Sequence, residues 1–235
     1  MRSDIAKVLH RAAGRSLLDW SLAALESLPL SSIAVVVGHQ AAAVAASIAD
    51  HELAPLVATA LQSEQLGTGH AAAIGLSALQ VEPDDTVVIM PGDMPLLRST
   101  TLEALVAYHD ASGARASVAT SIMDDPTGYG RVKRSGDRVV AIVEQADATP
   151  EETEINEVNT SVYAFGAGFL EVLLSRLEAT NAQGEQYLTD VIGLLAAADE
   201  KVVAFGIDLE EAMGVNTLEQ LADAAEVLER RHHLG

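Results

Sequence analysis

Short apolar runs recur along this chain, each followed by a longer segment of helical spacing, and that alternation restricts the fold more than any other feature. Ile33-Ala34-Val35-Val36-Val37 and Thr86-Val87-Val88-Ile89-Met90 read as near-continuous apolar strands, the pattern of strands covered on both faces. Ala116-Ser117-Val118-Ala119-Thr120, Val139-Val140-Ala141-Ile142-Val143 and Lys201-Val202-Val203-Ala204-Phe205 predict further strands. Between them, Leu17, Leu18, Leu22 and Leu25 form one helical stripe, and Leu102, Leu105 and Val106 another. Near the end, Leu218, Leu221, Ala225 and Leu228 lie opposite Glu219, Asp223, Glu226 and Glu229. Strand and helix in alternation predict an α/β protein with a mostly parallel central sheet and helices on both faces. Ligands of such sheets bind at the carboxyl ends of the strands. Residues 128–166 depart from the alternation: Arg131-Val132-Lys133-Arg134 and residues 139–143 flank the turn Ser135-Gly136-Asp137, a small β-rich insertion followed by a polar loop over 147–157. One domain over residues 1–235 is the expectation.

Charge and composition remove several function classes. Lys and Arg number 14 against 34 Asp and Glu, a formal net charge of −20, so a basic nucleic-acid-binding surface is not expected. With 49% hydrophobic residues the chain can bury a sizeable core. It has no cysteine, which excludes disulfides, thiolate zinc sites and Cys nucleophiles together. No run of about 18 apolar residues occurs, so no membrane span is expected, and a cytoplasmic location follows as the expectation.

Chemistry concentrates where strands end. Met90-Pro91-Gly92-Asp93-Met94-Pro95-Leu96 delivers one acid just past a central strand, where a carboxylate can hold a hard cation such as Mg²⁺; a helix N-cap is the equal alternative. Gln62-Ser63-Glu64-Gln65-Leu66-Gly67-Thr68-Gly69-His70-Ala71 brackets a threonine with glycines at a helix start, and free amides there suit anions or carbonyl oxygens; an ordinary turn and cap fits as well. Glu144 ends a strand and could simply be solvated. Glu157-Val158-Asn159-Thr160 can fix sugar hydroxyls or make a turn, and either Asn216 or Thr217 can cap the last helix. There is no Gly-x-Ser-x-Gly elbow, no Walker A and no G-x-G-x-x-G.

Taken in order, these segments resemble one family. Ser3-Asp4-x-x-Lys7-Val8-Leu9-His10, Gln65-Leu66-Gly67-Thr68-Gly69-His70-Ala71, Gly92-Asp93-x-Pro95-Leu96, Asp125-Pro126-Thr127-Gly128-Tyr129-Gly130-Arg131, Ile142-Val143-Glu144-Gln145, Glu157-Val158-Asn159-Thr160, Asn181-Ala182-Gln183-Gly184-Glu185, Tyr187-x-Thr189-Asp190 and Gly214-Val215-Asn216 are similar, end to end, to the uridyltransferase domain of the bacterial bifunctional N-acetylglucosamine-1-phosphate uridyltransferase / glucosamine-1-phosphate acetyltransferases. The resemblance implies a Rossmann-like nucleotide-diphospho-sugar transferase fold. It also implies transfer of UMP from UTP to N-acetylglucosamine 1-phosphate, with Mg²⁺, a step in making a peptidoglycan precursor. By motif, Asp93 and Asn216 would hold the metal, and Lys7, a catalytic residue with Asp93, would face the triphosphate. Gln62, Gly67 and Thr68 would read the uracil, Gly130, Glu144 and Asn159 would hold the sugar, and Gly92 and Asn216 would also bind substrate.

Two departures modify the expectation. The family's first strand and its Leu-x-x-Gly-x-Gly-Thr-Arg loop would lie ahead of Met1, as would the loop's phosphate-binding Arg. Their absence predicts two unpaired inner strand edges, a natural reading frame that begins upstream, and a large loss of rate in this chain, since each charge-assisted hydrogen bond is worth roughly 1.5–3 kcal/mol. The hexapeptide-repeat acetyltransferase domain, with its trimer contacts, is not in the sequence either, so the oligomeric state is left open. Two rival readings stand beside the first: a nucleotide-sugar-binding protein without chemistry, and a nucleotidyltransferase for another sugar 1-phosphate.

Overall fold

The computed structural model describes residues 5–38 and 40–234. After a 3₁₀ turn at Lys7–Leu9 come the two-residue strands β1 (Arg11–Ala12) and β2 (Arg15–Ser16), helix α1 (Leu17–Ala23), β3 (Ile33–Val37) and α2 (Ala41–Ile48). A second 3₁₀ turn, Ala54–Leu56, leads to β4 (Val57–Leu61), α3 (Thr68–Ser77), β5 (Thr86–Ile89), α4 (Ser99–Ser112) and β6 (Ala116–Ile122). Then follow the hairpin β7 (Arg131–Ser135) and β8 (Arg138–Val143), the short α5 (Pro150–Thr153) and the long β9 (Glu157–Gly166). The chain closes through α6 (Ala167–Leu174), α7 (Asp190–Ala197), β10 (Val202–Gly206) and α8 (Leu218–Leu234).

The strands form a six-stranded sheet in the order β5-β9-β6-β10-β8-β7 and a separate pair, β3-β4. Parallel pairing holds for β6 with β10 and for β3 with β4. The expectation of a mostly parallel sheet is corrected elsewhere, because β9 runs antiparallel to both β5 and β6, and the β7–β8 hairpin is antiparallel by construction. The expected polar loop over 147–157 is also corrected: it contains α5, opened by Pro150 and a capping box in which Thr149 and Glu152 satisfy each other's backbone.

The antiparallel β9 is the spine of the core. Tyr163 and Phe165 point into a cluster with Leu76 of α3, Leu170 and Leu173 of α6, and Val191, Ile192 and Leu195 of α7. Val162 and Ala164, one residue out of phase, pack on the other face against Leu102 and Leu105 of α4. Strand alternation therefore places helices on both faces. Truncating a fully buried member such as Leu170 to Ala would cost about 2–5 kcal/mol.

Among the described residues β5 pairs only with β9, and β3 only with β4. Their other edges border one cavity of about 990 Å³, lined by Ile33–Val37 of β3 and Thr86–Ile89 of β5. This agrees with the expected pair of unpaired inner edges. It also explains why the most apolar strands of the sequence are partly exposed: every residue of β5 is intermediate in burial. No described helix is long and apolar enough to cross a membrane.

Candidate active site

The end of β5 delivers Pro91, Gly92 and Asp93. Helix α4 starts only at Ser99, with Arg98 in the N-cap position, so Asp93 is not a helix cap. Its backbone carbonyl instead accepts from Val215 N at 2.9 Å, which fastens the loop before α8 beside it. On that loop Thr217 takes the capping role, its Oγ1 accepting from Gln220 N at 3.1 Å. Gln220 Oε1 returns to Asn216 N and Thr217 N at 2.7 and 3.0 Å. Capping by Thr217 leaves the Asn216 carboxamide to turn toward Asp93, and the Lys7 ammonium joins the two. Lys7 Nζ donates to Asn216 Oδ1 at 2.8 Å and forms an ion pair with Asp93. Lys7, Asp93 and Asn216, separated by up to 209 positions, thus meet at one point. Ser3 and Asp4, quoted in the first motif, lie outside the described residues.

Two oxygen donors converge there on a cation. That is a fit for a hard divalent ion, which takes few protein oxygens and completes its shell with water and phosphate. The Lys7 ammonium is the stand-in that shows it: Asp93 and Asn216 already share one positive charge.

The glycine-rich segment before α3 is a clasp. Gly67 has φ 112° and ψ 178°, a region open essentially to glycine alone. Gly69 N donates to Gln186 O at 2.8 Å, Gln186 N to Leu66 O at 2.7 Å, and Leu188 N to Thr68 Oγ1 at 3.0 Å. The Thr68 hydroxyl accepts one bond from the chain and keeps its own hydrogen to donate. Gln62 Nε2 donates to Gly67 O at 3.1 Å and lies 3.0 Å from His70 Nδ1. With both amide hydrogens turned inward, Gln62 has its carbonyl oxygen left as an acceptor. His70, which reads from sequence as a helix-start residue, thus also orients Gln62.

The third group gathers around Glu144. Its Oε1 accepts from Thr189 Oγ1 at 3.0 Å. A Cβ on Gly130 would stand 3.3 Å from its other carboxylate oxygen, so glycine there makes room for the acid. Burial pushes the Glu144 carboxyl above its ordinary range; the Thr189 bond opposes this, and Asp190 and Asp147 add to it. A strand-end Glu would simply be solvated, and this one is drawn inward. Asn159 N donates to Gly130 O at 2.8 Å, which brings Asn159 to the same place. Burial raises the Tyr129 phenol above its ordinary value, and the Asp93 charge raises it further. Lys7, Thr68, Gly92 and Glu144 all line the 990 Å³ cavity. Gln62, Gly67, Gly130, Asp93 and Asn216 reach it through bonds or contacts to those liners or to their chain neighbours, and Asn159 through its bonds to the liners Tyr163 and Ser161. Sequence reasoning assigned no role to Tyr163, and Thr189 entered it only within the motif Tyr187-x-Thr189-Asp190.

A mixed α/β sheet whose strand ends present two oxygen donors, a lysine and a glycine clasp defines a nucleotide-handling protein. Residues 3–230 match the model of the nucleotidyl transferase family, and the chain belongs to that family. Such enzymes generally use a divalent metal. Over 235 residues the chain is 49% identical to the bifunctional protein GlmU of Mycolicibacterium vanbaalenii, covering 98% of this chain and 48% of that protein. The bifunctional protein GlmU of Pelobacter propionicus is 46% identical over 233 residues, with 98% and 50% covered. The chain spans about half the length of these curated relatives. Among solved structures, a UDP-glucose pyrophosphorylase complexed with UDP-glucose superposes with a TM-score of 0.75 at 14% identity, over 97% of this chain and 91% of that one, a likeness of fold.

Proposed function

We propose that this chain is a uridyltransferase domain that moves UMP from UTP to N-acetylglucosamine 1-phosphate, releasing pyrophosphate and forming UDP-N-acetylglucosamine in the cytoplasm. The observation that carries the reading is the meeting of Lys7, Asp93 and Asn216 beside a cavity that Lys7 and Glu144 both line, with Asn159 bonded to Tyr163 of the same lining. The similarity to the bifunctional GlmU proteins supports it.

Attack of a sugar phosphate on the α-phosphorus of UTP needs alignment and charge neutralisation more than proton transfer. Asp93 and Asn216 would hold Mg²⁺, which when bound neutralises phosphate charge. Lys7 then leaves its pairing with Asp93 and places its ammonium against the triphosphate. The Gln62 carbonyl and the backbone of the Gly67 clasp present acceptors and donors to a uracil edge, and a site built on such bonds rejects poor fits strongly. Glu144, drawn inward and bonded on one oxygen by Thr189, keeps its second oxygen for a sugar hydroxyl.

Pyrophosphate release from UTP, dependent on N-acetylglucosamine 1-phosphate and Mg²⁺, tests the reading; thermal shift with UDP-N-acetylglucosamine is run beside it. Product formation with this pair over glucose 1-phosphate or dTTP supports it. Ligand binding without turnover would favour a non-catalytic nucleotide-sugar-binding protein, and preference for another sugar phosphate would move the substrate assignment.

A further inference from the structure

Tyr163 carries a hydroxyl that its packing does not require. It is 2% exposed, stacks on Phe165 with ring centroids 5.5 Å apart, and sits in the apolar cluster under α6 and α7. A phenylalanine would fill that space. The phenol oxygen instead accepts from Asn159 Nδ2 at 2.7 Å.

That bond is not available to a regular strand. Residues four apart on one face would be about 13 Å apart along the strand. Here β9 is irregular opposite β6: Val118 pairs with Tyr163 and Thr120 with Asn159, so Ala119 alone faces residues 160–162. Ser161 within this bulge has φ 62°, and Thr160 Oγ1 donates to Ala119 O at 2.8 Å. The bulge folds Asn159 back toward Tyr163 and gives the Asn159 side chain a fixed frame. Its Oδ1 accepts from Ser161 N at 3.1 Å while its Nδ2 is held by the phenol. Of the two hydrogens and two lone pairs on the carboxamide, one of each remains. A group that both accepts and donates, such as a hydroxyl or an acetamido group, matches that pair.

We propose that Tyr163 is a positioning residue that sets the Asn159 carboxamide for recognition of the N-acetylamino sugar. The sugar assignment rests on the function proposed above; the positioning of Asn159 does not. Tyr163 lines the cavity with Glu144 and Ser161, so the hydroxyl stands where the sugar end of a nucleotide sugar would lie. Burial keeps the phenol protonated, and the Glu144 charge reinforces this. The tyrosine acts as a fixed neutral partner at every working pH.

The test compares Tyr163→Phe, Asn159→Ala and the double variant by calorimetry with UDP-N-acetylglucosamine and with UDP. Tyr163→Phe is expected to weaken UDP-N-acetylglucosamine about tenfold, the worth of one hydrogen bond, and to leave UDP within about twofold. In the Asn159→Ala background the same change should have no further effect. Equal losses for both ligands, or a full loss that persists without Asn159, would assign the tyrosine to packing and overturn the proposal. A ligand-free readout separates the two claims: the Asn159 side-chain amide resonances should shift and lose exchange protection in Tyr163→Phe. If the wild-type protein bound the sugar nucleotide no better than UDP while those resonances shifted, the sugar reading would fail and the positioning would stand. Unchanged resonances would sink the positioning itself.

Discussion

Replacing Gly67 by alanine offends the backbone in two separate ways. The first is torsional: φ 112° with ψ 178° lies where an L side chain is held only at a cost of about 1–3 kcal/mol. The second is steric. The new Cβ would stand 2.5 Å from Gln186 O and 2.9 Å from both Gln186 N and Glu185 Cβ. Two of those three atoms are backbone and cannot swing aside, so overpacking adds about 1–3 kcal/mol. Together the penalty is about 2–6 kcal/mol, against about 5–15 kcal/mol for a whole domain. At about 2–4 °C per kcal/mol for a chain of this size, Tm falls by at least about 4 °C. The clasp breaks first, because Gly69 N to Gln186 O and Gln186 N to Leu66 O both run beside the clash.

Two reference variants isolate the causes. Gly14→Ala, at φ 84° with open space around it, carries torsional strain alone. Gly193→Ala lies inside α7 with nothing within 4 Å of the added carbon, and should stabilise by up to about 1 kcal/mol through helix propensity. Scanning calorimetry should therefore rank Tm as Gly193→Ala, wild type, Gly14→Ala, Gly67→Ala, and uridine-nucleotide affinity should drop only in the last. A Gly67→Ala protein melting within about 1 °C of wild type would refute the reasoning.

Other outcomes follow from the same geometry. Lys7→Met removes the ammonium that Asp93 and Asn216 now share, so Mn²⁺ binding to the ligand-free protein, read by electron paramagnetic resonance, should tighten while UTP affinity falls; an unchanged Mn²⁺ isotherm would show that lysine and metal do not compete. Glu144 has a folded-state pKa above its unfolded one, so the native state holds the proton more strongly, and stability declines as pH rises from the ordinary carboxylate value through the raised one. Glu144→Gln should flatten that decline in urea titrations run upward from the ordinary glutamate value and at the same time weaken UDP-N-acetylglucosamine; an unaltered pH profile would contradict the burial argument. Hydrogen exchange should find the cavity-facing amides of β3 and β5 far less protected than those of β6, which has a partner on each side; equal protection would deny that these edges are open.

Much of the architecture is legible in the sequence because hydrophobic pattern decides it. Residues 33–37 and 202–206 form strands within one position of the apolar runs, and Ser135-Gly136-Asp137 makes its turn with Gly136 at φ 61°. Pairing direction is not legible. Nothing local in Val162-Tyr163-Ala164-Phe165 tells a strand whether its neighbours run with it or against it, and β9 runs against both. The candidate site divides the same way. Asp93 and Glu144 are readable as acids at strand ends, but whether either is solvated depends on distant groups: Thr189 for Glu144, the Val215 amide and Lys7 for Asp93. Thr217 rather than Asn216 takes the cap of α8, a choice between adjacent residues that composition leaves even. Tyr163 is invisible as anything but core, since the bulge that folds Asn159 onto it is a property of the β6–β9 register.

Arg131 poses the sharpest opposition between stability and function. It is 2% exposed and, among the described residues, has no carboxylate within ion-pair distance, although its charge acts on the exposed Asp125. Its guanidinium donates instead to neutral oxygens, the carbonyl of Tyr129 and Gln145 Oε1, the latter at 2.8 Å, and its Nε has no partner. A buried cation held by neutral oxygens carries a desolvation cost that its hydrogen bonds offset only in part. Yet Gln145 Oε1 also accepts from Gly128 N at 3.1 Å, so one arginine ties the residue 128–130 loop to the strand end that carries Glu144. Arg131→Met should therefore leave Tm unchanged or raise it, while affinity for UDP-N-acetylglucosamine falls, because Gly130 and Glu144 lose their shared anchor. Calorimetric melting and titration on the same sample read both signs at once. A variant that melts several degrees lower would show that the arginine serves the core, and one that binds as tightly as wild type would show that the loop needs no such tie.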